Sequence, residues 1–282
     1  MSTLTLDTAP LKDGFGSEII GVDLAEADDA MLAAVVAEFH RTGAIVLRGQ
    51  AMEPEQFVRF GKAFGELNGH TLQDYILPGH PEVYVLSNRV DEGKPVGAHN
   101  DGIGWHTDLN YTAQPVMCTM LHAIEVPPEG SDTLLADQCA AFAALPEERQ
   151  ADLSKLKQIH SFEYLHKMRS EGRKAVPPEV LRANPDVVHP LVRTHPADGR
   201  KALWVSSLTP GFVGWSTADS EVLIDELIEW VTQDRFVYRH KWQVGDVLVW
   251  DNRCTLHTGT LFDDTRYIRE MHRMWVKGDR PY

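Results

Sequence analysis

The chain has 282 residues, 43% hydrophobic and 24% charged, which are ordinary values for a globular protein with a substantial core. A formal charge of −14 argues against nucleic acid or an anionic membrane as the main partner, since both need a basic face, but leaves room for a small anion held by a few local cations. No apolar stretch approaches the roughly 20 residues that span a bilayer, and the opening MSTLTLDTAPLKDG lacks the basic and apolar regions of an export signal, so the expected compartment is the cytoplasm. Cys118, Cys139 and Cys254 are an odd, scattered set and read as reduced thiols.

Along the chain, Met31, Leu32, Val35, Val36 and Phe39 recur at helical spacing between Asp28 and His40. Gly43 closes that helix, and Ala44–Arg48 reads as a buried strand. A second amphipathic helix is expected over Glu53–Phe64, with Phe57, Phe60 and Phe64 on one face. From Tyr75 to Gly104 the chain is rich in Gly, Pro, Asn and Asp, the composition of a long irregular loop. Strand-like runs follow at Trp105–Tyr111, Val116–Ile124 and, after the turn Pro127–Gly130, at Thr133–Ala136. Helical patterns occupy Ala140–Leu156 and Ser220–Val231, the latter opened by Ser216, Thr217 and Asp219. Further strands are expected at Leu191–Thr194, Ala202–Val205, Phe236–Trp242, Asp246–Trp250 and Ile268–Lys277. Many short strands with peripheral helices predict a mainly β fold, a sandwich or jelly-roll barrel, over residues 1–282 without a linker or internal repeat.

Thirteen histidines invite a search for a metal site. Iron that activates O₂ needs three protein ligands on one face, and two imidazoles with one carboxylate supply them. His-x-Asp suits this, because residues i and i+2 of a strand point the same way. The pattern is short and occurs twice, at His99-x-Asp101 and His106-x-Asp108. The first lies in the Gly-rich run GKPVGAHNDGIG and reads as a polar loop. The second follows Trp105 on an expected strand, a better platform for ligands. A third ligand must come from elsewhere, and His257, after GDVLVWDNRCTL, is the candidate. Arg269 and Arg273 follow it and share one face if their segment is a strand. Two inward cations would need anionic partners, for which the guanidinium fork is suited; two surface arginines on an edge strand is the plainer alternative. A zinc hydrolase or a non-catalytic jelly-roll binding protein are rival readings of the same residues, although no H-E-x-x-H is present.

Taken together, the segments GFGSEIIGVDL, FGEL (64–67), WHTD (105–108), EGSDT (129–133), HPLVRTHPADGRKALWVSS (189–207), GDVLVWDNRCTLH (245–257) and REMHR (269–273) resemble the taurine dioxygenase and dichlorophenoxyacetate dioxygenase family. The resemblance implies a double-stranded β-helix (a cupin-like jelly roll) and a dioxygenase that uses Fe(II), 2-oxoglutarate and O₂. Such an enzyme oxidises a small organic substrate and releases succinate and CO₂. It further implies that His106, Asp108 and His257 bind iron, that Arg269 and Thr133 hold the distal carboxylate of 2-oxoglutarate, and that His70 and Arg273 meet an anionic substrate. Residues 70–104 would then supply a lid over the active site. Gln73, in place of an aromatic residue, and a different loop before WHTD depart from the taurine enzymes. Ser131 stands where relatives commonly carry Gly. A homo-oligomer is left open.

Overall fold

The computed structural model describes residues 4–70, 73–99, 102–168 and 175–282. A nine-stranded sheet runs in the order Asp7–Lys12, Phe15–Ile20, Ala44–Leu47, Val247–Asp251, Cys118–Glu125, Glu270–Val276, His80–Ser87, Ile76–Leu77, with Leu67–Asn68 also paired to Glu270–Val276. A three-stranded sheet, Val237–His240, Thr133–Asp137 and Thr255–Gly259, faces it. This is the expected jelly roll with helices packed outside.

Period two explains why the central strands are apolar on both faces. Ala44, Val46, Leu121, Ala123, Leu248, Trp250 and Met271 pack toward Leu135 and Trp242 of the small-sheet side. Their neighbours Ile45, Leu47, Met120, Val247, Val249, Met274 and Val276 pack instead against Leu32, Val35, Phe39, Phe57 and Phe60 of the two N-terminal helices. Each large side chain buried in this way contributes roughly 1.5–3 kcal/mol. Thr119, Arg273 and Trp275 have the parity of the first set, which places polar groups on an otherwise apolar inner face.

The helices start and stop where their caps predict. Asp28 accepts from the Met31 amide at 2.8 Å, and the helix Asp29–Thr42 ends on Gly43, whose φ of 79° only glycine adopts freely. Glu53 and Gln56 form a capping box ahead of Pro54–Phe64. Ser216 accepts from the Asp219 amide and opens Thr217–Val231.

Several expectations are corrected. The single helix over Ala140–Leu156 is two, Gln138–Ala143 and Glu147–Leu153, because Pro146 lacks the N–H that a continuous helix needs. Phe236–Trp242 begins with a 3₁₀ turn, Asp234–Phe236, before the strand Val237–His240. The irregular stretch Tyr75–Gly104 contains a core strand, His80–Ser87, paired with Glu270–Val276. Ala98 hooks back onto that strand through Ala98 N–H to Val85 O (3.0 Å) and Ser87 N–H to Ala98 O (3.1 Å). Gly97 permits this, since a Cβ there would stand 2.6 Å from the Ser87 nitrogen. Trp105–Tyr111 is not a strand either. It makes one isolated bridge, His106 opposite His257, and then turns at Asp108–Tyr111 with Leu109 at φ 49°. Among the described residues no helix is long and apolar enough to cross a membrane.

Candidate active site

The bridge between His106 and His257 is closed by two backbone bonds of 2.9 Å, one in each direction, and it holds the imidazole centroids 4.2 Å apart. His106 Nδ1 lies 2.6 Å from the Gly104 carbonyl. The ring therefore donates there and turns its Nε2 lone pair away. That Nε2 lies 3.6 Å from Oδ1 of Asp108, and His257 Nε2 lies 3.6 Å from Oδ2. All three side chains are buried, and one ligand atom from each falls within 4.8 Å of the others. Two imidazoles and one carboxylate are a donor set for a divalent transition metal, and they fit one here.

Burial alone would oppose a charge on Asp108. The imidazoles of His257 and His106 and the more distant Arg273 nevertheless hold its carboxyl well below the usual range. Its Oδ2 is also saturated. The Thr119 hydroxyl donates to it at 2.6 Å and the Trp275 indole N–H at 3.1 Å, from positions directly opposite on adjacent strands. Asn252 Nδ2 donates to Thr119 Oγ1 at 2.8 Å, which orients that hydroxyl. Sequence reasoning missed Thr119, Asn252 and Trp275, although Asn252 lies inside a recognised segment.

The donor set opens on a chamber of about 390 Å³, whose walls include Leu86, Leu121, Thr133, Trp250, Arg269 and Arg273. Thr133 accepts from the Trp242 indole at 3.1 Å, so its own proton is available to a further acceptor. Arg269 has no anionic side chain within ion-pair distance among the described residues, and burial draws its pKa down to about 10. Its backbone N–H donates to Asn88 Oδ1, and the Asn88 amide clasps the carbonyls of Asp264 and Tyr267, which fixes the approach to the chamber. A β-bulge between Glu270 and Met271 interrupts the expected face, yet Arg269 and Arg273 still reach the same space.

Arg273 lies over Trp275 (4.1 Å) and Tyr84 (4.7 Å). His70 stacks against the same two rings, at 4.6 and 4.9 Å, outside the chamber wall that Arg273 lines. Burial, and then the neighbouring Arg273, push its pKa down to about 4, so the ring is neutral near pH 7. Its Nε2 bonds the Glu82 carbonyl at 3.2 Å.

His99 pairs with Asp264 at 2.9 Å, and Asp101 lies outside the described residues. Gln73 bonds the His70 carbonyl. A second group, His195, Asp251 and Cys254, is also compact, but Asp251 is already held by Arg253 at 2.5 and 2.8 Å.

A jelly roll with two imidazoles, a carboxylate and two arginines around one buried chamber defines the architecture of a metal-dependent oxygenase. Residues 7–275 match the family described as "Taurine catabolism dioxygenase TauD, TfdA family", and the chain belongs to it. It is 34% identical to the alpha-ketoglutarate-dependent 2,4-dichlorophenoxyacetate dioxygenase of Cupriavidus pinatubonensis, over 96% of this chain and 97% of the relative. Among solved structures, AAD-2 in complex with Mn(II) and N-oxalylglycine matches with a TM-score of 0.86 at 28% identity, over 99% of both chains. A taurine dioxygenase from Burkholderia xenovorans matches with a TM-score of 0.80 at 31% identity, over 98% of this chain and 90% of that one. The chain is thus an oxidoreductase of the alpha-ketoglutarate (2-oxoglutarate)-dependent dioxygenase class, and the hydrolase and non-catalytic readings fall.

Proposed function

We propose that the metal is Fe(II) and that the enzyme couples decarboxylation of 2-oxoglutarate to oxidation, in the simplest case hydroxylation, of a small anionic substrate, a carboxylate or a sulfonate. Succinate and CO₂ are released. The observation that carries this reading is the meeting of His106, Asp108 and His257 with Arg269 and Arg273 around one chamber. The relatives point the same way, since one is named for a phenoxyacetate and another for taurine.

Bound iron supplies the redox chemistry toward O₂; the protein's task is placement and exclusion of water. His106, Asp108 and His257 would hold the ion. Thr133 and Arg269 receive the distal carboxylate of 2-oxoglutarate, the hydroxyl by donation and the guanidinium by its fork. Arg273 takes the anionic end of the substrate from its seat on Trp275 and Tyr84. The neutral His70 braces that seat, so the positive charge comes from Arg273. Leu86, Leu121 and Trp250 give the chamber apolar walls, and segment 102–104 meets its rim through the bridge of Ile103 to Gly259. A cytoplasmic place of action is in keeping with three buried free thiols.

A panel of phenoxy acids, sulfonates, amino acids and phosphonates, screened for substrate-dependent O₂ uptake and succinate, tests the substrate class. Turnover of an acid or sulfonate that Arg273→Ala impairs at least about tenfold is expected. Turnover of a neutral compound, indifferent to Arg273→Ala, would contradict it.

A further inference from the structure

The metal-side chamber is shut off over most of its surface. Among its described walls every residue is buried except Gly102, Gly259 and Arg269, which are partly exposed. Those three stand at one place. Gly259 and Arg269 also line a second space of about 400 Å³, and Gly102 precedes Ile103, which lines it too. The Gly259 N–H donates to the Gly102 carbonyl at 2.9 Å and holds the two segments together. The described opening of the chamber is therefore a neck, and the second space lies just beyond it. That space runs from a buried floor at Leu86 and Ser131 to an exposed rim at Ile103 and His99.

Its lining suits a passing anion. No carboxylate stands among its described walls, in a chain whose formal charge is −14. Asp264, beside the rim, is paired with His99 at 2.9 Å. The Ser131 and Thr260 hydroxyls are buried with no hydrogen-bond partner among the described residues, so both are ready to donate. Neither reaches the metal ligands or Thr133, which line the other space. Their place is on the approach, with the Arg269 guanidinium at its inner end.

We propose that the second space is the vestibule through which 2-oxoglutarate enters the metal-side chamber and succinate leaves it; this rests on the co-substrate reading above. The 2-oxo acid end leads through the neck, and the trailing carboxylate halts at Arg269. On the way Ser131 and Thr260 replace hydrogen bonds that the anion gives up with its water. Ile103 forms the movable part of the neck. It sits between Gly102 (φ 97°) and Gly104 (φ 89°), in a region that glycine adopts freely, so the wall can shift without backbone strain.

The test mixes Mn(II)-loaded protein rapidly with 2-oxoglutarate and follows tryptophan fluorescence, to which Trp250 in the chamber wall contributes. The observed rates give association and dissociation constants, and calorimetry gives Kd separately. Thr260→Phe partly fills the vestibule. It should slow both rates about tenfold and leave Kd within about twofold, because an obstacle raises the barrier in both directions and leaves the end states alone. Ile103→Ala widens the neck and should speed both rates about threefold at the same Kd. Unchanged rates in both variants would refute the vestibule. A weaker Kd with an unchanged association rate would refute it too, since that marks a binding contact. A wild type that binds no 2-oxoglutarate would overturn the co-substrate reading, and the vestibule with it.

Discussion

The Thr119 hydroxyl donates to Oδ2 of Asp108 at 2.6 Å, and with the Trp275 N–H at 3.1 Å it occupies that oxygen on its outer side. Among the described residues no hydroxyl or indole donor reaches Oδ1, which faces the His106 imidazole at 3.6 Å and would be the oxygen offered to a metal. A carboxylate oriented in this way would present one oxygen to an ion held together with His106 and His257. Thr119→Val removes the donor at constant shape, and it is expected to weaken Mn(II) binding about 10- to 100-fold. Thr119→Ser, which keeps the hydroxyl, should stay within about threefold of wild type by the same titration. Equal affinity in all three proteins would show that the hydrogen bond does not position the ligand.

Arg269 gives a prediction in which stability and binding move apart. Its guanidinium is partly buried at the chamber, with no carboxylate beside it among the described residues. Replacing such a cation by a similar apolar side chain is neutral or mildly stabilising, whereas the ligand that would pair with it is lost. Arg269→Met should leave the melting temperature of the ligand-free protein unchanged or raised, and weaken 2-oxoglutarate by about 100-fold or more. A melting temperature that falls steeply would show that Arg269 is a structural cation with its own partner.

The third prediction concerns pH. Burial works against a charged His195, but its bond to Asp251 at 3.0 Å prevails and raises the pKa from 6.5 to about 9. Asp251 is lowered in turn, burial opposing and Arg253 and His195 prevailing. A histidine whose pKa is higher in the folded chain adds stability in full below pH 6.5 and loses it as pH rises through about 9. Urea unfolding should therefore show stability falling by about 1–2 kcal/mol from pH 6.5 to 9.5, a slope that His195→Gln flattens. A slope unchanged in His195→Gln would assign it to other groups.

Much of this was legible in the chain. The apolar spacing of the first two helices and the polar opening at Ser216 marked their elements, because those signals are local. The candidate ligands were legible as residue types in order, but the reason offered for His106 and Asp108, a shared strand face, does not hold. Their geometry depends on a cross-chain bridge to His257 and on Leu109 in the left-handed region, neither of which leaves a periodic trace. His80–Ser87 was hidden in a stretch dominated by turn residues, although Val83, Tyr84, Val85 and Leu86 form a β-prone run within it. Pro146 was a visible break in the helix expected over Ala140–Leu156. Thr119 and Trp275 look like ordinary strand residues until the register sets them opposite each other beside Asp108.

The most direct measurement is release of CO₂ from 1-labelled 2-oxoglutarate by purified protein, with and without added Fe(II), for wild type and for His106→Ala and Asp108→Ala. Iron-dependent release by wild type, stimulated by the true substrate and reduced at least about 100-fold in either variant, is the predicted result. Full activity in Asp108→Ala, or activity independent of iron, would contradict the assignment of His106, Asp108 and His257 as the metal site.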